Sequence, residues 1–406
     1  MLSFGGPAAQ IALMHHEVVE ERGWLTERQY LDALSFCMLL PGPEAMQLAT
    51  YAGWRMHGVR GGLVAGGLFV LPGAVAIAAL AALYTRFGDL PLAQALFVGI
   101  KAAVLVIVIE ALLRISRRTL GRGPEWLIAS AAFLALLLFA APYPLVITVA
   151  AGAGALLLRS EASASVLPAG GRPTLARALG TVVFWLAIWL APLAVVALIA
   201  PPVFGEIARL FALLATVTFG GAYAVLAYMT QEAVMTYEWL TTGEMMDALG
   251  LAETTPGPLI LVTEFVGFLA AERAAPTGAL LWGLAGALVT LWASFAPCFL
   301  FIFAGAPWIE RIAAVPALRA ALAGITAAVV GVIANLSVWF GAHVLFRTVE
   351  RVEVGPLATI LPDPASVDWR SVSLAALATL LLLGLRKGIP LTLAVCAIAG
   401  TVLIVI

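Results

Sequence analysis

The residues best placed to do chemistry in this sequence sit at helix-breaking motifs and at lone charges within apolar stretches. Pro41-Gly42-Pro43 runs directly into Glu44, with Gln47 one turn further on, and Thr255 leads into Pro256-Gly257-Pro258. A second pair of breaks is Phe4-Gly5-Gly6 and Phe219-Gly220-Gly221, the latter with Tyr223 two residues on. Proline disfavours the helical region for the residue before it and fits the first turn of the helix after it. Each Pro-Gly-Pro therefore reads as a break between two helices, with glycine allowing close backbone approach. Helix starts present free N–H groups and the positive end of the dipole, so the chemistry they suit is anion binding. The competing reading is that the breaks are packing kinks. Lys101 lies inside an apolar run, where a charge is expensive and usually functional. It could neutralise an oxyanion, or it could pair with Glu110. Glu44 could cap its helix or carry a coupling proton. Glu264 and Asn335 are the analogous candidates in the second half of the chain. Tyr223, Thr254 and Thr255 offer neutral hydrogen bonds.

Other chemistries find little support. His15-His16-Glu17 lacks the His-Glu-x-x-His spacing of a zinc protease. No Ser/His/Asp set, phosphate-binding loop or Cys/His cluster occurs, so hydrolysis, ATP coupling, a metal centre and a cofactor are not expected, and the chain does not read as an enzyme. Cys37, Cys298 and Cys396 lie far apart in apolar segments and read as small buried hydrophobes.

The elements that must position these residues are membrane helices. Of 406 residues, 63% are hydrophobic and 11% charged, and the mean hydropathy is +1.04. Soluble domains carry about 25% charged residues. The net charge of −1 gives no basic field for nucleic acid. Several apolar runs exceed the roughly 20 residues that cross a bilayer. The expected fold class is an all-α polytopic membrane protein in contact with lipid.

An internal repeat organises the chain. A shift of 215 lays Phe4-Gly5-Gly6 on Phe219-Gly220-Gly221, Trp24-Leu25-Thr26 on Trp239-Leu240-Thr241, Asp32-Ala33-Leu34 on Asp247-Ala248-Leu249, and one Pro-Gly-Pro on the other, with 17 of 40 positions matching. The shift grows to 225, placing Pro72 on Pro297, and then to 246, placing Pro144 on Pro390. The domain reading is a first repeat over 1–159, a linker plus an extra span over 160–202, and a second repeat over 203–406. An apolar helix, about Glu206 to Thr218, precedes the second Phe-Gly-Gly but not the first, so a late start of this chain is expected.

Local signals place the elements. Thr26 with Gln29 is a capping box opening a helix. Val59 to Tyr84 reads as a span interrupted at Pro72-Gly73. Pro91 to Ile115 is a second span, and Pro142-Tyr143-Pro144 turns a helical hairpin. Leu175 to Ala200 is the extra span, and Arg347 to Arg370 is a polar loop. Basic residues favour the cytoplasmic side of a membrane. Arg114, Arg117, Arg118 and Arg122 mark that side in the first repeat. The matching loop of the second repeat is acidic, and Arg386 and Lys387 sit at the opposite turn. The two repeats are therefore expected to be inverted, with broken helices at the Phe-Gly-Gly and Pro-Gly-Pro motifs, a signature of secondary transporters.

These motifs resemble a known family. Phe4-Gly5-Gly6-Pro7, the run from Phe36 through Cys37-Met38-Leu39-Leu40-Pro41-Gly42-Pro43-Glu44-Ala45, and Phe69-Val70-Leu71-Pro72 look like the first half of the chromate transporters. Phe219-Gly220-Gly221-Ala222-Tyr223 and the run Gly250-Leu251-Ala252-Glu253-Thr254-Thr255-Pro256-Gly257-Pro258 look like the second half. The resemblance covers nearly the whole chain in the two-domain form of the family. It implies a multi-pass protein of the bacterial inner membrane that exports chromate under the proton-motive force and confers chromate resistance, with sulfate as the close analogue. A sulfate or other oxyanion transporter, or a passive anion channel, is the alternative reading, and a homodimer is compatible with the sequence. Met46 and Glu264 stand where similar sequences are expected to carry Gln.

Overall fold

The computed structural model describes residues 6–121, 123–158, 175–219, 222–255, 257–306, 315–355 and 357–405. It is almost entirely helical. Five helices are long and apolar enough to cross a membrane: α3 (Glu44–Phe87), α4 (Pro91–Thr119), α7 (Leu175–Ile199, whose span is counted from Ala178), α12 (Ala279–Gly305) and α13 (Pro316–Leu345). The shorter helices are α1 (Gly6–His15), α2 (Glu27–Cys37), α5 (Pro124–Phe139), α6 (Tyr143–Leu157), α8 (Pro202–Val217), α9 (Ala222–Thr230), α10 (Thr242–Thr254), α11 (Val262–Arg273), α14 (Trp369–Thr379) and α15 (Ile389–Val405).

The repeat is legible in backbone detail. α1 runs into a π-helical turn at His16–Glu21, and α9 runs into one at Gln231–Thr236, the positions 215 further on. Each turn closes alike: the N–H groups of Trp24 and Leu25 donate to the Val18 carbonyl, and those of Trp239 and Leu240 to the Ala233 carbonyl. Each next helix then opens on a full capping box, Thr26 with Gln29 and Thr241 with Glu244. Two identical cap signatures at one register make the same local structure twice.

Gly42 and Gly257 mark the tips of two re-entrant hairpins, which enter from opposite faces. The long helices α3 and α12 act as rulers. Along α3, Gly62 and Gly66 abut Thr50, on the limb that follows the first tip; Gly73 abuts Gly257 of the second tip. Tyr84 then hydrogen bonds Asp247 of α10 at 2.9 Å and meets the Phe265 ring of α11 at 5.3 Å, both on limbs of the second hairpin. At 1.5 Å per residue, Gly66 to Gly73 spans about 10 Å and Gly73 to Tyr84 about 16 Å. Along α12 the order is reversed. Gly286 and Thr290 abut Gly267 of α11, Cys298 lies beside Gly42, and Gly305 abuts Phe36 of α2. The antiparallel course of the second hairpin is fixed at its base, where Arg273, at the end of α11, donates to the Trp239 carbonyl at 2.6 Å just before α10. The architecture is thus an all-α polytopic membrane protein of two inverted repeats. The remaining helices complete the wall: α15 backs Gly99 of α4, and α7 is tied to α12 by exchange of Trp189 and Trp292 indole hydrogen bonds, each 3.1 Å.

The structure differs from the sequence expectations in two places. The span through Pro72 is not interrupted there; helical geometry continues past it, and the break falls earlier, at His57 and Gly58, where Gly58 takes φ +62°. Proline in a helix removes one hydrogen bond and can be absorbed as a bend, whereas a left-handed residue reverses the chain. This break divides α3 into a limb of the first hairpin and a full span. The polar loop after α13 holds a two-stranded antiparallel ribbon, β1 (Val349–Val354) with β2 (Leu357–Pro362), turned at Gly355 with φ +60°. The two strands pair in register from Val349 with Pro362 to Val354 with Leu357. The linker over 160–174 lies outside the described residues.

Candidate functional site

The starts of α3 and α9 meet between the hairpin tips, beside Gln10 of α1 and the short 3-10 turn Leu259–Leu261 that follows the second tip. A cavity of about 10 Å³ is bounded by Gln10 of α1, Gly42, Pro43 and Glu44 at the first tip, Ala222 and Val225 of α9, and Pro258 to Ile260 after the second tip. Helices α1 and α9 follow the two Phe-Gly-Gly motifs in the chain. Phe4, Gly5, Gly220, Gly221 and Pro256 lie outside the described residues; Gly6 opens α1, and Phe219 is half-buried beside α9.

Each tip is tied to the other half. The Gly42 N–H donates to the Thr218 carbonyl at 3.1 Å, at the end of α8. The Gln10 side-chain amide donates to the Gly257 carbonyl at 2.6 Å. Both tip glycines are left-handed, with φ +98° at Gly42 and +120° at Gly257, a conformation that only glycine adopts without strain. Gln47 is fully buried and donates to the Pro41 carbonyl at 2.7 Å, bracing the first tip. Two acceptors remain without a donor, Gln10 Oε1 and Gln47 Oε1.

Among the described residues, the cavity wall holds one carboxylate, Glu44, and no base. Glu44 is the first residue of α3, where the first-turn N–H groups have no carbonyl partner within the helix. Lys101 lies elsewhere. Its ammonium sits 3.0 Å from Asp247 of α10, and the alternative pair with Glu110 does not form; Glu110 binds Arg114 instead. Residues 101 and 110 are nine apart on one helix, which puts them on opposite faces and about 13 Å apart along the axis. The Lys101–Asp247 pair lines a separate vestibule of about 410 Å³ with Tyr84, Asp89, Glu244 and Arg273.

The other candidates are placed as follows. Tyr223 donates to Glu253 at 3.0 Å, joining the start of α9 to the limb before the second tip. The Thr254 and Thr255 hydroxyls both donate to the Leu251 carbonyl. Glu264 is buried in the first turn of α11, behind the tip, with one oxygen unpartnered. Asn335 lines a different cavity, beneath the ribbon. His15 and His16 pair with Glu27 and Glu20 at 2.7 and 2.8 Å. Gln10, Thr218, Asp247 and Glu253 were not singled out by the sequence. For Gln10 the available signal was a lone amide in an apolar helix; for Asp247 it was its register with Asp32.

Opposed re-entrant hairpins whose tips meet between inverted repeats define a membrane transporter of the inverted-repeat class. The chain belongs to the chromate transporter family, whose model matches residues 1–156 and 205–401. It is 30% identical over 409 residues to a probable chromate transport protein of Synechococcus elongatus, covering 99% of this chain and 92% of that protein. It is 31% identical to a chromate transport protein of Cupriavidus metallidurans, over 82% of this chain and 77% of that one. It is 32% identical to a chromate transport protein of Pseudomonas aeruginosa, over 82% and 76%. No solved structure matches the chain.

Proposed function

We propose that this protein is a secondary transporter that exports chromate across the bacterial inner membrane under the proton-motive force, with sulfate as a competing analogue. The observation that carries the reading is the meeting of two helix starts, those of α3 and α9, at one cavity between opposed hairpins. Free N–H groups there suit an anion of any tetrahedral kind, and the names of the relatives select chromate. A cavity of about 10 Å³ has room for about one water. An oxyanion therefore enters only when the tips part, and the Gln10–Gly257 and Gly42–Thr218 bonds are the contacts that must yield. Hairpins entering from opposite faces give each side of the membrane its own door. The repeats, 1–159 and 203–406, act as the two halves around the site. The substrate-binding set comprises Gly42, Pro43, Glu44, Gln47, Tyr223, Thr255, Gly257 and Pro258 with the Phe-Gly-Gly residues, and Glu44 and Glu264 are the coupling carboxylates. The face bearing Arg55, Arg60, Arg114, Arg117 and Arg118 is cytoplasmic by the positive-inside rule.

Everted membrane vesicles test this reading. Energised vesicles are expected to accumulate labelled chromate, and excess sulfate to suppress the accumulation. Vesicles that hold no more chromate than those lacking the protein would remove the export reading.

A further inference from the structure

The central cavity poses an electrostatic problem for the anion it is read to bind. Its wall carries Glu44 and, among the described residues, no base. Lys101, the base inside an apolar span, is committed to Asp247. Glu44 is itself the first residue of α3, so its carboxylate and an incoming oxyanion compete for one helix start. Two like charges at one site cannot both be accommodated without a cation, and the usual resolution is a proton on one of them. The cavity already holds a group suited to that proton. Gln10 is 2% exposed, it lines the cavity, and its Oε1 has no donor. A neutral carboxylic acid is a donor, whereas a carboxylate is not.

We infer that the oxyanion enters the central cavity together with a proton taken up by Glu44, not in exchange for one. This rests on the anion-transport reading and fixes the sign of its coupling. In the step, the Glu44 carboxylate gains one proton from water and becomes the acid; the anion gains the N–H groups that the carboxylate gives up. The other titratable groups around Glu44 are the Cys37 and Cys298 thiols on α2 and α12, and the Tyr223 hydroxyl of α9 is engaged with Glu253. Glu264 stands behind the second tip, outside the cavity wall. A dianion carried with one proton still moves one negative charge. An inside-negative potential then drives it outward, while an acid exterior opposes it.

The test is proton counting on the purified full chain. Sulfate is the probe, because its own protonation lies far below neutral pH, and a pH indicator in weakly buffered solution reports proton exchange as sulfate is added. The expected result is uptake of about one proton per sulfate bound, with affinity falling up to about tenfold per pH unit once Glu44 is ionised. Glu44→Gln is expected to abolish the uptake and flatten the pH profile, whereas Glu253→Gln keeps both. Proton release, binding without proton exchange, or full uptake in Glu44→Gln would overturn the inference while leaving anion binding intact. The wild-type count decides the sign even if Glu44→Gln does not fold. If neither sulfate nor chromate binds, the anion reading fails, and this inference with it.

Discussion

Asp32 and Asp247 occupy the same register of the repeat, one on the outer limb of each hairpin, and their surroundings could hardly differ more. Asp32 is exposed, 3.8 Å from Arg28 one turn before it on its own helix. Asp247 is 2% exposed, 3.0 Å from Lys101 on another helix, and receives the Tyr84 hydroxyl at 2.9 Å. The tryptophans that open the limbs follow the same pattern. Trp24 is exposed beneath the Arg22 guanidinium at 4.8 Å, and Trp239 is buried and stacked on Tyr237 at 4.5 Å. One backbone pattern thus serves two roles. The second hairpin is wedged among α3, α4 and α12 and anchored along its length. The first keeps its outer limb α2 at the periphery and is held chiefly by its tip and by the limb of α3.

The largest expected effect comes from the buried charge pair. Lys101→Met leaves Asp247 buried without its counter-ion and should cost about 3–5 kcal/mol, much of it restored in Lys101→Met/Asp247→Asn. Asp32→Asn, at the equivalent exposed position, should cost roughly 0–1 kcal/mol. Thermal unfolding in detergent reads both, and equal losses at the two aspartates would break the comparison. Next come the tip glycines. A Cβ on Gly257 would stand 3.3 Å from the Gly73 Cα, a backbone atom, whereas on Gly42 the nearest atom is the Gln47 Nε2 at 3.4 Å, the end of a side chain. Both alanine variants carry left-handed strain of about 1–3 kcal/mol, with Gly257→Ala at the upper end and Gly42→Ala at the lower. In vesicle uptake, Gly42→Val and Gly257→Val are both expected to abolish chromate accumulation while the protein still inserts; wild-type rates in both would sink the central site.

The repeat, its inversion and the breaks at Pro-Gly-Pro were readable because they are written in residue types with strong local physics: proline, glycine, cap residues and the sidedness of arginine. Tertiary partners were not. Nothing local marks Asp247 as the partner of Lys101, since the pair joins two repeats across a long sequence separation. The Gly58 break was hidden because one glycine in an apolar helix reads as packing, and Pro72 nearby drew the expectation toward itself. The ribbon after α13 was hidden by its charges, which read as loop. At the site, the motif residues were legible, but Gln10, which supplies the bond to Gly257, carries no motif and lies in a helix that otherwise reads as plain lipid-compatible chain.

Gln10→Leu sharpens the contrast between tips. It removes a side-chain tie from the first repeat to the second tip, and a buried hydrogen bond of this kind is worth about 1.5 kcal/mol. Because the second hairpin is anchored at its base as well, the loss should appear as faster hydrogen exchange confined to residues near Gly257, with α10 and α11 protected as before; loosening of the whole hairpin would show that the tip bond, not the base, holds it.

The smallest effect is expected at the capping boxes, where the two hairpins are most alike. Thr26→Ala removes an acceptor for the Gln29 N–H and should cost about 1 kcal/mol. Thr241→Ala removes the equivalent acceptor for the Glu244 N–H, yet the start of α10 has a second hold. Arg273 donates to Glu244 at 3.1 Å and to the Trp239 carbonyl at 2.6 Å, a strut absent from the described contacts of α2. Glu244 also still accepts from the backbone N–H of residue 241, at 2.8 Å in the native chain. The second cap is therefore redundant and the first is not, so Thr26→Ala should lower the unfolding temperature more than Thr241→Ala does. Combining Thr241→Ala with Arg273→Ala should expose the hidden share, giving a loss greater than the sum of the two single changes. Simple additivity there would mean that the strut and the cap act on different motions, and that the anchoring of the second hairpin begins at Lys101 and Asp247 instead of at its base.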